Sequence, residues 1–139
     1  MNLTGKQRMA GFSFVETLTA IFILGVLAAI AMPHFTRVLP GIRLNSAVRQ
    51  IATDLQLARM RAIAQHTNQT VAFDTSTATY TYGSYTRNLS TVYPGTTITK
   101  TGDPTFTTTG TSNAITITVS NNGASKTVQV NTLGRVVIP

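Results

Sequence analysis

The sequence predicts an α+β protein in which a long N-terminal apolar helix continues into a segment packed on an antiparallel β-sheet body. Three observations predict it. Residues 17–36 contain no Asp, Glu, Lys or Arg, and about 20 such residues suffice for a helix to cross a bilayer core. Leu44, Val48, Ile51, Leu55, Ala58 and Ala62 then recur at steps of four and three, the stripe of a helix with one buried face. From Thr70 the period changes to two, with Val71 and Phe73, Tyr80 and Tyr82, and Ile115, Ile117 and Val119 alternating with polar residues.

The N-terminal run carries one anomaly. Glu16 is the sole charge in residues 12–36, and a carboxylate in membrane-length apolar sequence is costly enough to require a partner. Ahead of it, Lys6 and Arg8 stand without any acid, which by the positive-inside bias holds the leader in the cytoplasm and sends the rest of the chain outward. A cleaved secretory signal accounts for the basic start, and Ala29-Ile30-Ala31 resembles its cleavage site. The apolar run is longer than an ordinary signal's, however, and Glu16 lies inside it. A plain membrane anchor also leaves Glu16 unexplained.

Beyond the run, Pro33 and the Pro40-Gly41 pair are expected to bend or interrupt the helix. The striped segment over 37–66 follows as a second, amphipathic helical stretch. The remainder, 67–139, reads as strands and turns. Asp74-Thr75-Ser76-Thr77 separates two of them, and Asn121-Asn122-Gly123 marks a hairpin between Ile115–Ser120 and Thr127–Val130. A last short strand covers Val136–Ile138. Residues 88–110, broken by Pro94-Gly95 and Gly102-Asp103-Pro104, read as a loop region with weak strands, Thr96–Lys100 being one of them at a sheet edge.

Composition narrows the function classes. The 139 residues hold no Cys, so packing rather than disulfides must hold the body together. The formal charge is +7, and it falls to +5 if residues 1–11 are lost, since Lys6 and Arg8 leave and no acid does. Five of the nine remaining cations lie between 37 and 61, so much of the excess belongs to the helix. Arg37 and Arg43 suit anionic lipid head groups just outside the anchor. His34 and His66 have no Cys or carboxylate at metal-ligand spacing, and Asp54, Asp74 and Asp103 are scattered. With no phosphate loop and no nucleophile motif either, the sequence predicts neither an enzyme nor a cofactor or metal site.

Two stretches carry a family resemblance. Gly11-Phe12-Ser13-Phe14-Val15-Glu16 and the run after it resemble the leader and first helix of type IV pilins and type II secretion pseudopilins. Asp54 to Ile63, with its Leu55-x-x-Ala58-Arg59-x-x-Ala62 pattern, and Leu133-Gly134-Arg135-Val136 resemble the GspH/FimT branch. The resemblance implies a type IV pilin-like fold and a division into a prepilin leader (1–11), a transmembrane and filament-core helix (12–36), a stalk helix (37–66) and a periplasmic β domain (67–139). It implies cutting after Gly11 by a prepilin peptidase, N-methylation of Phe12, pairing of Glu16 with the amine of a neighbouring subunit, and a helix kink at Pro33. The implied partners are other pilins or pseudopilins and an inner-membrane assembly platform. The implied task is filament assembly at or near a tip, and protein secretion. A DNA-uptake pilus component touching DNA through Lys126 and Arg135 is the alternative, and a major pilin is a further one.

Overall fold

The computed structural model describes residues 13–139, and side chains for all of these but 33–37. By contact the chain divides after Thr36 into an N-terminal unit and a body, Arg37–Pro139.

Helix α1 is assigned over Phe14–Ala64, 51 residues without a break. Pro33 and Pro40-Gly41 therefore do not end it, and the expected interruption at Pro40-Gly41 is absent. A proline removes one intrahelical hydrogen bond, and the packed stripe that begins at Leu44 outweighs that loss at Pro40-Gly41. In the N-terminal unit, Phe14–Met32 is a stretch long and apolar enough to cross a membrane. Its polar residues are accommodated locally: Thr17 and Thr19 hydroxyls donate back to the Ser13 and Val15 carbonyls at 3.4 and 2.8 Å. Such back-bonding is how a hydroxyl is tolerated where no water reaches.

In the body, α1 buries Leu44, Val48, Ile51, Leu55, Ala58 and Ala62, the stripe expected from the spacing, and with them Ala47 and Ala52. The helix ends in a Schellman arrangement. Thr67 N–H donates to Ala62 O and His66 N–H to Ile63 O, with His66 at a left-handed φ of 50°.

The strands form two four-stranded antiparallel sheets rather than one. The first has the order β3-β2-β1-β5, with β1 Gln69–Asp74, β2 Thr79–Tyr82, β3 Tyr85–Asn88 and β5 Thr105–Phe106. The second has the order β4-β6-β7-β8, with β4 Thr96–Lys100, β6 Ile115–Asn121, β7 Ala124–Val130 and β8 Val136–Val137. A one-turn helix α2, Leu89–Val92, joins them and is capped by Asn88, whose side chain accepts from Thr91 N–H. Asn122 and Gly123 both take positive φ, 49° and 80°, between the paired residues Asn121 and Ala124. That is the turn whose twist matches antiparallel strands, and it fixes the β6–β7 register.

Inward positions of both sheets meet the helix stripe. Val71, Tyr80 and Phe106 from the first sheet and Ile98, Ile117, Val119, Val128 and Val130 from the second join Ile51 and Leu55 in one core. Truncating such a fully buried Ile or Leu to Ala costs about 2–5 kcal/mol, so this cluster fixes the body.

Candidate functional site

Glu16 lies in the first turn of α1, exposed among exposed Phe14, Val15, Leu18 and Ile21. An acid there is favoured by the helix dipole. Gly11 and Phe12 lie outside the described residues. The side chain of Pro33 does too.

In the body, each of the three acids is engaged internally. Asp54 is 2% exposed and faces the first sheet. Tyr80 Oη donates to its Oδ2 at 2.5 Å, Tyr82 Oη to Oδ1 at 3.2 Å, and Gln50 Nε2 to Oδ2 at 3.2 Å. Arg87 Nε completes the set with an ion pair at 3.0 Å. The network joins α1 to β2 and β3. Burial pushes the Tyr80 phenol well up and the Tyr82 phenol up, and the Asp54 carboxylate reinforces that by bonding to their neutral form. Burial lowers the Arg87 guanidinium more than any single neighbour raises it, but the charge of Asp54, the Tyr80 and Tyr82 phenols and the Asp54 hydrogen bond together outweigh burial, and the net direction is up. Asp103 accepts from Lys100 Nζ at 2.6 Å and from Phe73 N–H at 2.9 Å, linking β4 to β1 across the two sheets. Asp74 accepts from the Ser76 amide and hydroxyl and the Thr77 hydroxyl at 2.6–2.9 Å, which holds the β1–β2 turn.

Sequence reading treated these acids as scattered and missed the Asp54 hub. A signal was present: Asp54 follows Ile51 by three and precedes Ala58 by four, so it stands on the buried stripe. Strand β3 was missed as well, although Gly83-Ser84 between Tyr82 and Tyr85 is a two-residue hairpin signal.

The cations divide by their surroundings. Arg59 Nε donates to Gly110 O at 2.9 Å. Arg61 lies over the Tyr85 ring at 4.4 Å and the Tyr82 ring at 5.4 Å. Lys126 lines a small depression with Asn45, Val48, Arg49 and Ile138, on the helix side of β7. Arg135 instead lines a groove with Thr116 and Gln129, which alternate away from the core along β6 and β7, and with Thr101, Ala114, Ile115 and Val130. The structure thus does not collect Lys126 and Arg135 on one surface. It does bring together the two halves of the body's motif, because Arg59 from the helix and Gly134 from the β7–β8 turn both abut Gly110.

An apolar N-terminal helix running into a helix packed on antiparallel sheets defines the type IV pilin-like class of subunit. Within that class the chain belongs to the GspH family: the model of the type II transport protein GspH matches residues 47–134, and that of the prokaryotic N-terminal methylation motif matches residues 6–32. It is accordingly a pilin-like subunit of that family, a structural filament subunit and not an enzyme. The Pseudomonas aeruginosa (strain PAO1) type IV minor pilin FimU shares the fold at a TM-score of 0.60 and 18% identity, over 69% of this chain and 87% of that one. The minor pseudopilin EpsH of the Vibrio cholerae type 2 secretion system does so at 0.60 and 13%, over 70% and 96%. No curated protein sequence matches the chain.

Proposed function

We propose that the chain is held in a bacterial inner membrane by its apolar helix, with the body in the periplasm, until a prepilin peptidase removes residues 1–11 and Phe12 is N-methylated. An inner-membrane assembly platform then moves it into a filament of pilin-like subunits, at or near the tip, in the service of protein secretion. Moving Leu18, Ile21, Phe22 and Leu24 from lipid to packed helices costs little, because both surroundings are apolar. Glu16 pairs with the N-terminal amine of the adjacent subunit and sets the register, and Pro33 loosens the helix as it repacks.

The observation that carries this reading is the single carboxylate at Glu16 in an otherwise uncharged run, in a chain of the GspH family. A buried carboxylate is stable only beside a cation, and residues 17–36 offer none. The test compares the wild type with Glu16→Ala in the membrane fraction and in sheared filaments. Expected is normal membrane insertion with loss from the filament fraction; a variant that enters filaments at the wild-type level overturns the pairing.

A further inference from the structure

The groove holding Arg135 is a second site that the filament reading does not use. It measures about 440 Å³, within the range of roughly 300–1,000 Å³ typical of ligand sites. Its floor is a cross-strand row. Thr101 N–H donates to Thr116 O at 3.0 Å, Thr116 pairs with Gln129, and Gln129 pairs with Val137. Arg135 precedes Val137 by two residues, and both line the groove. Asn131 fixes this end, its Oδ1 accepting from Arg135 N–H at 2.8 Å. The guanidinium has no ion-pair partner among the described residues, and the three carboxylates of the body are taken by Arg87, by Lys100, and by Ser76 with Thr77.

The row ends at β8, which pairs with β7 and presents a free outer edge among the described residues. A strand edge is a template for an added extended segment, and alternate side chains of that segment fall on one face. A segment added to β8 would continue the row Thr101, Thr116, Gln129, Val137 with its groove-facing residue. Its side chain would stand opposite or diagonal to Arg135, where an acid makes a favourable cross-strand pair. One isolated cation in a groove that Thr, Gln and Asn share with Ala114, Ile115, Val130 and Val137 suits one carboxylate on a polypeptide. A nucleic acid backbone requires several cations on one surface, and the groove supplies one.

We propose that the β8 edge and its groove form a docking site for an extended polypeptide segment bearing one acidic residue, which Arg135 receives. The inference concerns the body and holds whichever filament the chain serves. The full-length chain in detergent micelles is titrated with a fluorescent octapeptide of alternating Thr and Val carrying a central Glu, and with its Gln counterpart. The Glu peptide should bind, with the Gln peptide about tenfold weaker. Arg135→Gln should abolish that preference; its side chain is exposed, so folding is not at stake. Gln129→Glu, which places an acid in the groove, should weaken the Glu peptide as much, while Arg49→Gln on the opposite side should leave it unchanged. Absence of peptide binding, equal binding of both peptides, or a preference that survives Arg135→Gln overturns the proposal. Displacement of the Glu peptide by oligothymidylate, lost in Arg135→Gln, would assign the groove to nucleic acid instead and overturn it equally.

Discussion

Gly134 lies so close to Gly110 that a Cβ placed on Gly134 would collide with the Gly110 carbonyl oxygen, the same oxygen that accepts from Arg59 Nε at 2.9 Å. Gly134 also has a φ of 70°, in the left-handed region. One contact therefore ties the helix, the 107–111 loop and the β7–β8 turn.

Gly134→Ala should destabilise the body by about 3 kcal/mol, because backbone must shift and the Arg59 bond is disturbed with it. Gly123→Ala is the control. Its φ of 80° is as unfavourable, but nothing lies within 4 Å, so strain alone applies at about 1–2 kcal/mol. Denaturant unfolding of the two variants checks the difference; equal losses would show that the close approach to Gly110 carries no energy.

The Asp54 network predicts an asymmetry between its partners. Asp54→Ala leaves two phenols and a guanidinium without their acceptor and should cost about 3 kcal/mol. Arg87→Gln should cost about 1 kcal/mol or less, since the Arg87 side chain is 40% exposed and water takes over part of its role. Chemical denaturation separates the cases, and an Arg87→Gln loss as large as that of Asp54→Ala contradicts this ranking.

Acid should loosen the β1–β2 turn. The Ser76 hydroxyl, then the Thr77 hydroxyl and the Ser76 amide, hold the Asp74 carboxyl down from 3.8 to about 2. A depressed carboxylate contributes stability that is present above its unfolded value and is lost as pH falls through its folded value. The window is therefore from about 4 down to about 2. Amide shifts of Ser76 followed by NMR should titrate with a midpoint near 2, and a midpoint near 4 would mean that these bonds do not favour the charged form.

Maturation makes a prediction about mass. The mature chain purified from membranes should begin at an N-methylated Phe12, seen by mass spectrometry. A chain beginning at Met32 would point to ordinary signal cleavage after Ala31.

Much of this molecule is legible locally. The membrane-length run, the Leu44 to Ala62 stripe, the Asn122-Gly123 hairpin and the edge strand Thr96–Lys100 each reside in the spacing of a few neighbouring residues. Helical and strand periods are set by backbone geometry, so sequence reports them directly. Pro40-Gly41 was misleading for the same reason: a local breaker signal was overridden by the packed stripe that begins at Leu44.

By itself, then, the sequence determined the anchor with its one acid, the amphipathic helix, the alternation of the strands and the family. Tertiary structure alone decided that the strands form two sheets, that Asp54 is a buried hub for Tyr80, Tyr82 and Arg87, and that Lys126 and Arg135 stand on opposite sides of β7. It also decided that Arg59 meets Gly110, 51 residues away, beside Gly134. The physical reason is that these contacts join residues far apart in the chain, and their positions follow from how the helix stripe and the two sheets close around one core rather than from any local period.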